Sequence, residues 1–161
     1  MNRYDRSAIR FHWVSAALIL MLWPIGKIMV SSGSPSSILY SVHVGLGLVV
    51  AAVTVGRVVW VWRGTRPEAL DMPRGERILF VANHYLLYAL LLALSLSGIA
   101  MLVAAGSFDA TALAKNDGPS SQHEFASTVF LVMFAMHVVG VVLYQIKKGK
   151  TLRRMGVPIG D

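Results

Sequence analysis

The chain contains no cysteine among its 161 residues. That one absence removes iron–sulfur clusters, covalently attached c-type haem, disulfides and thiolate zinc sites. Charge is scarce as well: only 14% of residues are charged, against 55% hydrophobic. The few charges are almost missing from four apolar runs of twenty-odd residues each. A soluble domain of this size needs no such runs, so the sequence predicts an all-α integral membrane four-helix bundle, one domain over residues 1–161. Acidic residues are few, eight against fifteen Lys and Arg, giving a net charge of +7. The excess does not point to nucleic acid, because the basic residues sit in short segments between the apolar runs, where topology signals belong. The first apolar stretch lacks a small-residue cleavage site and is too long for a cleavable signal peptide.

The runs place helices at about 7–29, 38–62, 78–104 and 121–146. Pro24 falls near the far end of the first, where it is expected to bend the helix. A Ser-rich turn at 31–37 leads to the second run. Arg63, Arg66, Arg74 and two prolines mark the next connection as irregular. A longer polar connection, 106–120, precedes the last run, which opens on a capping-box pattern, Ser121-x-x-Glu124. Twelve of the fifteen Lys and Arg lie at the N-terminus, in the 63–77 segment and in the tail, and Arg57 near that side makes thirteen. Only Lys27 and Lys115 lie on the other side. The positive-inside rule then places both termini in the cytoplasm, and the basic, Gly-containing tail on the membrane surface. Trp13, Trp23, Trp60 and Trp62 fall near span ends, where aromatic belts form.

All five histidines, His12, His43, His84, His123 and His137, lie in or at the edge of a span. Ionisable groups in a membrane are costly and need partners. A lone helical histidine is usually a satisfied or surface residue; here that explanation must hold five times, so ligation is the better reading. His123 and His137 share the last span, fourteen residues apart, which brings both rings to nearly one face about 21 Å apart along the axis. Two metal centres at two depths are implied. His43 and His123 are the only two at the outer level and must pair. His12, His84 and His137 lie towards the cytoplasm, and spacing leaves open which of His12 and His84 partners His137.

Two facing imidazoles leave zinc two ligands short. An iron porphyrin needs only two axial ligands, and small residues near them (Gly45, Gly47, Ala135, Gly140) would make room for it. Bis-histidine ligation fills the iron's coordination and favours electron transfer over oxygen binding. Arg57, fourteen residues after His43, lies on nearly the same face at the cytoplasmic depth. A haem propionate would suit it, as would lipid phosphate reached by snorkelling. His84 is expected to hydrogen-bond a propionate, to line a quinone site, or to ligate in place of His12.

The pattern resembles the bacterial cytochrome b561 family of four-helix di-haem proteins. The pieces are Ile9-Arg10-Phe11-His12-Trp13, Val42-His43-Val44-Gly45 closed by Arg57, His84-Tyr85-Leu86-Leu87-Tyr88 with Ser97-Gly98, His123-Glu124, Ala135-Met136-His137 and Thr151-Leu152-Arg153-Arg154-Met155. They cover nearly the whole chain in order, and the His-x13-His final helix is the most specific. The resemblance implies two haems b, one held by His12 and His137 on the cytoplasmic side and one by His43 and His123 outside. His84 then touches a ligand rather than the iron. Family members often carry paired histidines seven or eight residues after the last ligand, where this chain has Tyr144-Gln145, which puts in question any proton or quinone role of that pair.

The expected function is that of a multi-pass cytochrome of the bacterial inner membrane, passing electrons across the bilayer to or from the quinone pool, with ubiquinone as a redox partner. Superoxide, or a periplasmic or membrane redox protein, would be the other partner. Some relatives resemble superoxide oxidases; here Lys27 and Lys115 would draw the anion while Asp109, Asp117 and Glu124 oppose them. The alternative is a cytochrome b subunit anchoring a dehydrogenase or hydrogenase, with the 106–120 connection as its docking surface. A haem-free transporter with a histidine proton relay fits less well, lacking intramembrane carboxylates and broken helices.

Overall fold

The computed structural model describes residues 3–31, 37–63, 71–106, 121–149 and 151–158. The centre of the Ser-rich turn, the arginine-bearing connection around Arg66, the 107–120 connection with Asp109, Lys115 and Asp117, and Lys150 lie outside the described residues. Four long helices run up and down: α1 (Arg6–Ser31), α2 (Ser37–Arg63), α3 (Arg74–Ala104) and α4 (Ser121–Lys148). A one-turn helix, α5 (Thr151–Arg154), follows. The long helices have 26 to 31 residues, so each exceeds the roughly 20 needed to cross a hydrocarbon core. All four are long and apolar enough to cross a membrane.

Their outer surfaces agree with that. Leu20, Ile38, Leu79, Phe125 and Ile146 are all exposed, which suits lipid and not water. α1 continues through Pro24 to Ser31. α3 starts at Arg74, four residues before its expected start. Pro73, at φ −53°, is set for a helix start, its carbonyl accepts the Arg77 N–H at 3.0 Å, and Glu76 complements the first turn's dipole. α4 ends at Gly149, whose φ of +66° and N–H to the Gln145 carbonyl (2.8 Å) close the last turn in a conformation that glycine adopts without strain.

Helix packing follows chain order, α1 on α2, α2 on α3 and α3 on α4. At the α1–α2 seam, a Cβ on Gly56 would come within 3.3 Å of the Phe11 ring. Ser15 and Thr54 are almost wholly buried, small residues of the kind that let membrane helices approach closely. At mid-height each long helix contributes one buried residue to a single layer: Leu18, Val50, Leu91 and Phe130. Phe130 lies seven residues from both His123 and His137, two turns from each, and stacks on Phe134 with ring centres 6.1 Å apart.

The tail folds back as a strap. Gln145 Oε1 accepts the Leu152 N–H (3.0 Å), the Tyr4 N–H reaches the Arg154 carbonyl (3.3 Å), and Trp13 Nε1–H donates to the Met155 carbonyl (2.9 Å). Both termini therefore lie at one end of the bundle. At that end Asp5 accepts Trp60 Nε1–H at 3.0 Å and the Ala8 N–H at 2.9 Å, and these donors hold its carboxyl below the usual carboxylate range. Tyr144 donates to the Asp71 carbonyl at 3.2 Å, and Gln145 holds the strap. Replacing Trp13 with Phe keeps the ring and deletes the donor, at a cost of about 1 kcal/mol. The expected result is faster tryptic cleavage at Arg153 and Arg154 with no loss of the bundle.

Candidate cofactor sites

The histidines gather at two levels. At the end that carries the termini, His12 on α1 faces His137 on α4, with ring centres 6.2 Å apart at 54°. His84 on α3 stands edge-on to His137 at 4.9 Å and packs against Phe80 at 4.3 Å. Its Nδ1 lies 2.7 Å from the Phe80 carbonyl, which can only accept, so this nitrogen carries the proton. Arg57 Nη2 donates to His12 Nδ1 at 3.0 Å, and the guanidinium lies over the Tyr88 ring, 5.1 Å from its centre. A cation this deep in the bundle is thus held by a π face and one imidazole. The cavity between these groups is about 50 Å³, with His12, Arg57, His84, Tyr88 and His137 in its wall.

At the far end His43 on α2 faces His123 on α4 with ring centres 6.3 Å apart at 75°. The cavity here is larger, about 240 Å³, and its wall is mostly aliphatic, with Lys27, Tyr40 and Ser127 among the few polar members. Gly26 and Gly98 back the two rings: a Cβ on Gly26 would come within 3.3 Å of His43 Cε1, and one on Gly98 within 3.7 Å of His123 Cε1. The residues expected to give room, Gly45, Gly47 and Gly140, have nothing within 4 Å of an added Cβ. Open space lies beside them and Gly47 lines the far cavity, while Gly26 lets α1 come close to the His43 ring. Spacing along one's own helix could not reveal that.

The fit to a porphyrin can be tested on these distances. A metal bound between two imidazoles, about 2 Å from each nitrogen, holds the ring centres roughly 6 Å apart. Both facing pairs meet that value; His84 and His137 are too close for it. Among the described residues no group of three or more His, Asp or Glu side chains could hold a bare metal ion. Two axial ligands suffice for a metal that brings its own equatorial nitrogens. His43 Nδ1 is buried without a hydrogen-bond partner inside the apolar far cavity, a costly arrangement that a bound group would give a purpose. The residues present fit haem.

Helix α3 holds two residues that sequence reasoning passed over. With its carboxamide oriented by its neighbours, Asn83 donates to the Met133 carbonyl and accepts the His137 N–H, both at 3.2 Å. It therefore grips the backbone of the turn that ends in His137. Its signal was visible as an amide inside an apolar run, masked by the histidine beside it. Asn83→Ala is expected to cost roughly 1 kcal/mol, read as a lower Tm in detergent. Ser97 Oγ lies 2.8 Å from His123 Nδ1, a contact that the Ser-Gly motif by itself does not announce.

Four apolar helices with paired histidines at two levels define a membrane-embedded b-type cytochrome, an electron-transfer protein that binds haem b. The chain belongs to the prokaryotic cytochrome b561 family, whose model matches residues 3–157. No curated protein shows significant similarity to it.

Proposed function

We propose that the chain binds two haems b, one between His12 and His137 and one between His43 and His123, and passes electrons between the two faces of the inner membrane. The observation that carries this is the ring spacing, 6.2 Å and 6.3 Å in two pairs that share α4. Hydrogen bonding alone would favour His84 over His12, because Arg57 occupies His12 Nδ1 whereas His84 Nδ1–H is satisfied by a carbonyl, leaving Nε2 free. Spacing outweighs this. It is set by helix backbones, whereas the Arg57 side chain is long and can turn away from the ring.

When bound, haem b supplies one-electron redox chemistry at each level, with both axial positions filled by the protein. The chain's own groups do the rest. Arg57, steadied by Tyr88, offers a cation to a carboxylate edge at the termini-end site. Leu18, Val50, Leu91 and Phe130 exclude water between the levels. The run of basic residues supports a cytoplasmic position for both termini. A quinone in the bilayer is the proposed partner on one side, since every helix presents an apolar face to lipid. Superoxide is the proposed donor at the far level, where Lys27 supplies positive charge in the cavity wall.

A reduced-minus-oxidised visible spectrum with a haem-to-protein ratio tests the core of this. Two haems b per chain are expected; none would end the reading. Rapid reduction of the purified protein by superoxide, followed by quinone reduction, supports the oxidase. Reduction only with a co-purifying dehydrogenase or hydrogenase assigns it as an anchor subunit instead.

A further inference from the structure

Helix α3 offers no ligand at the far level, yet it touches one. Ser97 Oγ donates to the Leu94 carbonyl at 3.0 Å, so the hydroxyl hydrogen is committed to its own helix. The oxygen's lone pairs are left facing His123 Nδ1 at 2.8 Å. Hydroxyl and ring nitrogen can then bond only if His123 Nδ1 carries the proton and donates it. Across the cavity His43 is different: its Nδ1 has no partner. The two imidazoles of this site are unequal.

We propose that Ser97 is the positioning residue of the far site: it fixes His123 as the Nδ1–H tautomer, turns the Nε2 lone pair into the cavity, and makes His123 the stronger electron donor of the pair. The proposal rests on the reading of His123 as an axial ligand. A ligating imidazole that donates its other N–H to an acceptor becomes more basic, and a more basic ligand favours oxidised over reduced iron. Gly98, directly after Ser97, also faces the ring, its added Cβ falling at ordinary contact distance, 3.7 Å, from His123 Cε1.

The full-length protein with both haems is the material for the test, and redox titration with low-spin electron paramagnetic resonance gives readouts independent of turnover. Ser97→Ala is expected to keep two haems per chain, to raise the midpoint potential of the haem that His43→Ala removes, and to shift that haem's resonance signal. Ser97→Thr, which keeps the hydroxyl, is expected to restore both. Ser97→Cys, a weaker acceptor of similar size, should give a smaller rise. An unchanged or lowered potential in Ser97→Ala, or loss of that haem altogether, would overturn the proposal. Fewer than two haems in the unsubstituted protein would instead overturn the ligand assignment beneath it.

Discussion

Replacing His123 with alanine is expected to halve the haem content, from two per chain to one, while the remaining haem keeps its six-coordinate spectrum. The reason is the separation of the two levels. His123 and His43 meet at 6.3 Å, His12 and His137 at 6.2 Å, and the layer formed by Leu18, Val50, Leu91 and Phe130 lies between them. Removing one ring leaves a single imidazole in an apolar cavity whose described wall includes no other histidine. His43→Ala should behave identically. His137→Ala should empty the other site, and His123→Ala combined with His137→Ala should empty both, because α4 supplies one ligand to each. Pyridine haemochrome quantification against protein concentration measures all four. Two six-coordinate haems surviving in His123→Ala would sink the pairing.

The second large effect separates His12 from His84. His12→Ala is expected to lose the termini-end haem, whereas His84→Ala should retain two haems and change only the potential or line shape of one. His84 touches His137 edge-on at 4.9 Å, close enough to alter its surroundings and too close to share an iron with it. Arg57 gives a control. Arg57→Leu removes the cation that this site offers to a carboxylate edge while leaving every proposed ligand in place, so it should lower retention of the same haem and spare the other. If His84→Ala loses that haem and His12→Ala keeps it, the hydrogen-bond pattern was the better guide and the assignment reverses.

The four spans, their order and the two levels of histidine were legible in the sequence because each rests on counting along one helix. Apolar length marks the spans, and the fourteen-residue interval in α4 puts His123 and His137 at two levels. What stayed illegible depends on which helix lies opposite. The choice between His12 and His84 is of that kind, and so is the close approach of α1 to the His43 ring. Gly45 and Gly47 follow His43 in sequence, yet Gly26 on α1 is the glycine beside it. Asn83 and Ser97 act on α4 from α3, a relation that no interval within α3 could show. In the sequence the strap shows only as a basic tail suited to the membrane surface. Its grip on α1 depends on backbone groups of Arg154 and Met155, which carry no sequence signal.

The mid-height layer has a further consequence, for energy transduction. Leu18, Val50, Leu91 and Phe130 are hydrocarbon, and hydrocarbon carries no proton. A reducing equivalent that passes this plane moves as bare negative charge. The transmembrane potential then acts on it, in proportion to the share of the membrane it crosses, up to about 2.3 kcal/mol for each 100 mV. On the proposed route, flow in one direction works against that field and in the other is driven by it, which would tie turnover to how strongly the membrane is energised.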